Sequence, residues 1–126
     1  MATTTVYSGY VTSAGMQFMR ARINYTTTES ATGVSFSYNA GVQVNSGYNT
    51  NAKITVSCSL GQSKTVDDKG WGGGYHQMIS GSTSWSKTTS AQTKTITCTI
   101  TLGNGSTSTA TVKVTVPALA FTPLAM

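Results

Sequence analysis

The sequence predicts an all-β protein that folds as a two-sheet antiparallel sandwich of about seven strands. Three observations predict this class. Thr and Ser are abundant, with 24 and 16 copies among 126 residues, and both are poor helix formers. Apolar and polar residues alternate along several segments, which is typical of strands with one buried face. Turn sequences, and no helical segments, separate these strands. A small barrel is the alternative architecture.

The clearest strand runs from Val34 to Val44, where every even position is apolar and every odd position is small or polar. The same alternation predicts strands at about 53–60, 93–102 and 108–116, and weaker strands at 16–25, at 75–79 and around Trp85. Because successive side chains of a strand point to opposite faces, the apolar positions meet in one core. Its expected members include Phe36, Val42, Ile54, Ile96 and Val112.

In the strand at 16–25, the inward positions are Met19, Ala21, Ile23 and Tyr25, and the intervening Arg20 and Arg22 are expected in solvent. Further along the chain, Gly61-Gln62-Ser63 predicts a tight turn, and Gly103-Asn104-Gly105-Ser106 predicts a hairpin with a type I′ turn.

The spacing of the strands favours an immunoglobulin-like arrangement with Greek-key crossovers. Residues 7–117 form the predicted sandwich. Residues 1–6 are expected to be an N-terminal arm. Residues 118–126 follow Pro117, which ends the last strand, and are expected to be a C-terminal arm or linker.

Charge and hydropathy argue against two classes of partner, nucleic acids and the membrane interior. The net charge is +5, but the eight basic residues are scattered, whereas a nucleic-acid-binding surface usually clusters them with aromatic residues. No apolar run is long enough to span a bilayer, and no secretory leader is recognisable. We therefore expect neither nucleic-acid binding nor membrane insertion.

The two cysteines, Cys58 and Cys98, both fall on the predicted core face of central strands. Facing sheets could bring them into disulfide range, as in many immunoglobulin domains. The alternative is that each is a buried free thiol that packs as a small apolar side chain. The sequence leaves both interpretations open.

Groups that could perform catalysis are scarce. The acids are Glu29, Asp67 and Asp68, and His76 is the only histidine. No nucleophile motif, phosphate loop or dinucleotide fingerprint is present. Calcium binding by the two adjacent aspartates is a weak alternative. The sequence therefore predicts a protein without enzymatic activity, cofactor or metal site.

The most distinctive local feature is a glycine-rich segment around Trp71, which continues into Tyr75 and His76. One interpretation is an aromatic platform for a sugar or a partner surface, with Tyr75, His76 and Tyr48 supplying polar edges. The alternative is that Trp71 folds back to close one end of the sandwich. Trp85, with polar neighbours in alternation, is expected to pack in the core or on a sheet face.

Several segments resemble the immunoglobulin-like domains of tailed-bacteriophage structural proteins, especially minor tail and tail-fibre components. They are the Met-Ala-Thr-Thr-Thr start, Trp-Ser-Lys at 85–87, the Leu-Gly-Asn-Gly-Ser hairpin and the strand that ends Val-Thr-Val-Pro. The resemblance covers about residues 7–117 and is one of Ser/Thr-rich, alternating composition and of strand order.

This resemblance implies a non-enzymatic virion protein that assembles in the host cytoplasm and is exposed extracellularly on the particle. Its roles would be assembly and host-surface attachment. Its partners would be other virion proteins, further copies of the chain and a host cell-surface glycan. A capsid decoration protein, or a carbohydrate-binding or adhesin module of a bacterial surface protein, are the alternatives.

Overall fold

The structure is a computed structural model, and it describes residues 3–13, 16–44, 53–67, 74–103 and 105–120. Within these ranges the chain forms eight antiparallel strands in two four-stranded sheets, so the predicted two-sheet antiparallel sandwich is confirmed. No helix among the described residues is long and apolar enough to cross a membrane. The strands are β1 (Thr4–Ser13), β2 (Met16–Glu29), β3 (Gly33–Val44), β4 (Lys53–Cys58), β5 (Ser63–Asp67), β6 (Gly74–Ser86), β7 (Gln92–Leu102) and β8 (Thr107–Val116).

The strand order differs from the immunoglobulin-like order that the sequence favours. The first sheet has the order β1-β2-β3-β6 and the second has the order β5-β4-β7-β8. In an immunoglobulin domain the third strand lies in the opposite sheet from the second. Here Ser30 N donates to Gly33 O in a short turn, which keeps β2 and β3 paired as a hairpin in one sheet.

Three strands also differ from the expectation. The predicted pieces at 75–79 and around Trp85 are one continuous strand, β6, which pairs with β3 along its whole length. A further strand, β5, follows the predicted turn at 61–63 and occupies the edge of the second sheet. β1 begins at Thr4, inside the predicted N-terminal arm.

The apolar faces of the two sheets pack against each other and form one core. All five side chains that represent the predicted core are buried. Phe36 lies at an aromatic cluster, with its ring centroid 5.3 Å from Tyr25, 5.8 Å from Tyr38 and 5.7 Å from Trp85. The expectation that Trp85 packs against the core is confirmed. Burial of each large apolar side chain contributes about 1.5–3 kcal/mol to folding.

The two hairpins of the second sheet close with the same backbone pattern. Gly61 N donates to Cys58 O and Cys58 N donates to Gln62 O; Gly105 N donates to Leu102 O in the equivalent place. Gly61 and Gly105 have φ values of 116° and 92°, a left-handed conformation that favours glycine. These connections are therefore three residues long, and the predicted two-residue type I′ turn at Gly105 is replaced by this longer form.

Candidate functional site

Of the predicted aromatic platform, the structure describes Tyr75 and His76. Trp71 and Tyr48 fall outside the described residues. Tyr75 and His76 are consecutive in β6, so their side chains point to opposite faces of the first sheet. His76 pairs with the buried Val42 and lies on the core side, whereas Tyr75 lies on the outer side. Of the predicted residues, Tyr75 alone is placed on the outer surface of a sheet by the described strands.

Tyr75 belongs to a cluster on the outer face of the first sheet that the sequence analysis did not identify. The register of β1 on β2 sets Tyr10 opposite Arg20 and Tyr7 opposite Arg22. Asn24, Asn39 and Gln43 lie on the same side of the neighbouring rows of the sheet. We call this surface the tyrosine–arginine face; it consists of Tyr7, Tyr10, Arg20, Arg22, Asn24, Asn39, Gln43 and Tyr75.

Both arginines of this face lie against tyrosine rings. The Arg20 guanidinium carbon is 3.7 Å from the Tyr7 ring centroid and 4.8 Å from that of Tyr10. The Arg22 guanidinium carbon is 4.5 Å from the centroid of Tyr75. Such contacts contribute about 0.5–1 kcal/mol each at exposed sites and more when water is excluded. The expectation that both arginines lie in solvent is wrong, because the tyrosine rings half-bury them.

Hydrogen bonds connect the polar members of the face. Arg22 donates through Nε to Asn24 Oδ1 at 3.0 Å and through Nη1 to Gln43 Oε1 at 2.9 Å. Asn24 Nδ2 donates to Asn39 Oδ1 at 2.8 Å, and the Tyr75 hydroxyl donates to the same oxygen at 2.7 Å. Three strands are thus connected through side chains. A network in which each member has a partner holds its side chains in one arrangement.

Gly41 explains how Tyr75 reaches an arginine two strands away. Gly41 in β3 pairs with Arg22 in β2, and it has no side chain to separate that arginine from β6. A Cβ at this position would lie 2.0 Å from the backbone oxygen of His76, so any other residue would displace β6. The register shifts by one residue at Ala40 and Gly41, which is a β-bulge. Burial raises the pKa of Tyr75 to about 12, although the charge of Arg22 partly opposes the shift.

The face is positively charged. Its two guanidiniums have no carboxylate beside them among the described residues, since Glu29 pairs with Lys87 at 2.6 Å elsewhere and Asp67 ends β5 in the second sheet. Arg20 Nε is buried without a hydrogen-bond partner in the described part of the chain. A surface of this kind complements an anionic or carbonyl-rich partner.

The candidate catalytic residues are dispersed where the structure describes them. Glu29 is opposite Val34 and His76 is opposite Val42, and both valines belong to β3. The two candidate residues are therefore separated by about 26 Å along the extended strand. Asp67 ends β5 and pairs with Lys53, and Asp68 lies outside the described residues. Across the described ranges, no group of three His, Cys, Asp or Glu side chains could hold a metal ion.

The cysteine pair lies in one sheet, so the expectation that facing sheets bring the two residues together is wrong. Cys58 in β4 is directly opposite Cys98 in the adjacent β7. Both are buried free thiols, as one of the two sequence interpretations has it. The reason for the difference is the strand order, because β4 and β7 are neighbours at the centre of the second sheet.

Comparisons with known proteins yield no relative: no family model matches the chain, and no curated protein or solved structure is significantly similar to it. A functional assignment therefore depends on the chemistry of the chain's own residues, of which the tyrosine–arginine face is the most developed group.

Proposed function

We propose that the chain is a non-enzymatic structural module of a bacteriophage virion, of tail or tail-fibre type, that acts in assembly and host-surface attachment. The observation that carries this proposal is the tyrosine–arginine face. Tyr and Arg are the residue types that dominate the centres of protein interfaces, because they combine a large contact area with hydrogen-bond donors. This face presents three tyrosines and two arginines on one side of one sheet.

The rigidity of the face supports a contact role. Its side chains are already held by ring stacking and hydrogen bonds in the free protein. Association with a partner loses less side-chain entropy when the contact residues are ordered beforehand. The exposed part of the face is also amphipathic, since 40% of Tyr7 remains accessible. The partners that fit this surface are other virion proteins or a second copy of the chain, through an acidic or carbonyl-rich region.

The test of this proposal is whether particles contain the protein and need the face. An antibody against the chain, used in electron microscopy of particles from the phage that encodes it, should label one structure at a fixed position. Label on the tail supports the proposal, and label over the whole head would support the capsid decoration alternative. Particles free of the protein would overturn both.

A pair of variants then tests the face itself. Arg22→Ala and Lys113→Ala each remove one positive charge, the first from the tyrosine–arginine face and the second from the exposed outer side of β8. We expect Arg22→Ala to reduce incorporation into particles by about tenfold or more, as for an interface centre, and Lys113→Ala to have little effect. Equal effects of the two substitutions would contradict the proposed contact surface. Circular dichroism confirms that both variants remain folded.

A specific observation favours carbohydrate binding as the second candidate. Beside the face lies an open hollow of about 220 Å³, whose lining includes Asn24, Asn39, Ser37, Gln77 and Ser80. Amide and hydroxyl groups donate and accept hydrogen bonds, as the hydroxyls of a sugar ring require. A glycan array distinguishes the candidates: a signal that Asn39→Ala abolishes and Lys113→Ala preserves would favour sugar recognition. The same array with Trp71→Ala tests the platform predicted from the sequence.

A further inference from the structure

The register of the second sheet places the two cysteines at a special kind of position. Ser59 N donates to Thr97 O, and Gly103 N donates to Lys53 O, which marks these residue pairs as the hydrogen-bonded ones. Because the two kinds of pair alternate along an antiparallel ladder, Cys58 and Cys98 form a non-hydrogen-bonded pair. Opposite residues at such pairs have Cα atoms about 4.5 Å apart and the closest side chains.

This spacing is compatible with a disulfide bond. Bridged cysteines have Cα atoms about 4.4–6.8 Å apart, and a non-hydrogen-bonded pair falls at the short end of that range. Each thiol shifts the pKa of the other, as expected for side chains that face each other across two strands. On the other side of β7, Cys98 faces the small Ala110 of β8. Closing the bond therefore requires little movement of the backbone.

The surroundings give the two thiols different reactivities. The Cys98 thiol makes the largest contribution to lowering the pKa of Cys58, although burial opposes the shift. The Tyr38 hydroxyl and the backbone of Leu60 and Ser59 lower this pKa further. The hydrogen bond with Cys58 and burial raise the pKa of Cys98. Cys58 is also the more accessible of the two, because it is 7% exposed and closes the turn to β5, whereas Cys98 is fully buried. Cys58 is therefore the thiol that reacts first.

We propose that Cys58 and Cys98 are a dithiol modification site that closes to a cross-strand disulfide when the folded protein meets a small disulfide oxidant. The Cys58 thiolate attacks one sulfur of the oxidant, forms a mixed disulfide and displaces the first thiolate of the oxidant. That thiolate takes the proton of Cys98. The Cys98 thiolate then attacks the Cys58 sulfur and releases the second thiolate, which takes from water the proton that Cys58 lost when it ionised. Two protein thiols are oxidised to one disulfide, and the oxidant disulfide is reduced to two thiols.

The bond would connect β4 to β7 across the centre of the second sheet and enclose about 40 residues, among them β5 and β6. Linking residues so distant in sequence restricts the unfolded chain and raises the stability of the folded one. The chain could thus fold with reduced thiols and become more stable in oxidising surroundings. This inference depends on the strand register and is independent of the proposed function.

The test uses the purified, reduced full chain, with glutathione disulfide as the oxidant. Intact-mass spectrometry of the folded protein should show a loss of about 2 Da as both thiols disappear. The melting temperature should rise by about 10 °C, given the size of the enclosed loop. Persistence of both thiols, or bridging between two chains, would overturn the proposal.

Three variants separate the steps. Cys98→Ala should stop at the mixed disulfide on Cys58, with one glutathione attached. Cys58→Ala should leave Cys98 unmodified as long as the protein is folded. The double variant Cys58→Ala/Cys98→Ala should melt at the same temperature with and without oxidant. If Cys98 is modified as fast as Cys58 in the single variants, the proposed order of attack is wrong. If the melting temperature of the double variant still changes with the oxidant, the assignment of the site is wrong.

Discussion

The outer faces of the two sheets arise from the same alternation and have different chemistry. On the second sheet, threonine hydroxyls pair across adjacent strands. The Oγ1 atoms of Thr55 and Thr65 are 2.8 Å apart, and those of Thr99 and Thr109 are 2.9 Å apart. On the first sheet, the tyrosine–arginine face joins long side chains across several strands, as Tyr75 of β6 does with Arg22 of β2. The outer face of the second sheet is made of short, separate contacts, whereas the tyrosine–arginine face is one connected network.

This difference shows what period-two alternation determines and what it leaves open. Alternation decides which side chains face outward, but it does not decide whether they interact with each other. Short hydroxyl side chains reach only the directly opposite residue. Arginine and tyrosine reach further, so the pairing of distant strands decides their contacts. The first sheet therefore has a connected outer network of long side chains, and the second has a uniform, hydroxyl-rich outer surface.

The largest expected effect tests what the two faces share. Phe36 is fully buried and its ring packs near Tyr25, Tyr38 and Trp85. Phe36→Ala should lower the free energy of unfolding by about 3–5 kcal/mol, because it leaves a cavity in the common core. Urea unfolding measures this change, and Phe36→Leu serves as the control with a smaller loss. A cost below about 1 kcal/mol would contradict a single core that supports both faces.

A smaller effect should distinguish the two networks. Asn24 is 8% exposed and its side chain bonds with Thr5, Arg22 and Asn39. Asn24→Ala leaves these partners unsatisfied and should cost about 1–3 kcal/mol of stability. Thr99→Ala, which removes one exposed hydroxyl contact of the second face, should cost about 0.2–1 kcal/mol. Equal costs in urea unfolding would mean that the first face is not a cooperative network.

The strands that the sequence predicts well are those whose apolar positions cannot be placed otherwise. In β3 and β8 alternation is unbroken, and a slip of one residue would expose the whole apolar set. The alternation does not predict β5, because it is a short edge strand with Val66 as its sole aliphatic residue. The middle of β6 resembles a turn, with Gly81 among serines. It is a strand because Gly81 pairs with Tyr38, and the Gln62 side chain occupies the space that a larger residue would need.

The candidate site and the cysteine pair could be predicted only in part. Alternation correctly places Arg20 and Arg22 on the outer side, but their covering by tyrosines depends on the register of β1 on β2. The contact of Arg22 with Tyr75 further depends on the β3–β6 pairing and the bulge beside Gly41, which no local pattern indicates. The positions of Cys58 and Cys98 depend on the strand order. These features result from long-range pairing, which residue spacing alone does not specify.

The smallest effect is a pH dependence that reports on the first face. Burial raises the pKa of Tyr75 to about 12, while a tyrosine in the unfolded chain ionises near its ordinary pKa of about 10. Between these values the unfolded state releases a proton that the folded state retains. The contribution of Tyr75 to stability is therefore fully present below about pH 10 and is lost as the pH rises towards 12.

Tyr75→Phe removes this group but keeps the ring that lies against Arg22. Its free energy of unfolding should be lower than that of the wild type at pH 8, because the hydrogen bond to Asn39 is lost. Between pH 10 and about 12 it should decline less steeply, by up to about 1 kcal/mol per pH unit. Urea unfolding at a series of pH values measures both quantities. If the free energies of unfolding of the two proteins decline in parallel with pH, Tyr75 is as solvated in the folded chain as in the unfolded one. The tyrosine–arginine face would then be a set of separate side chains, like the threonines of the second sheet.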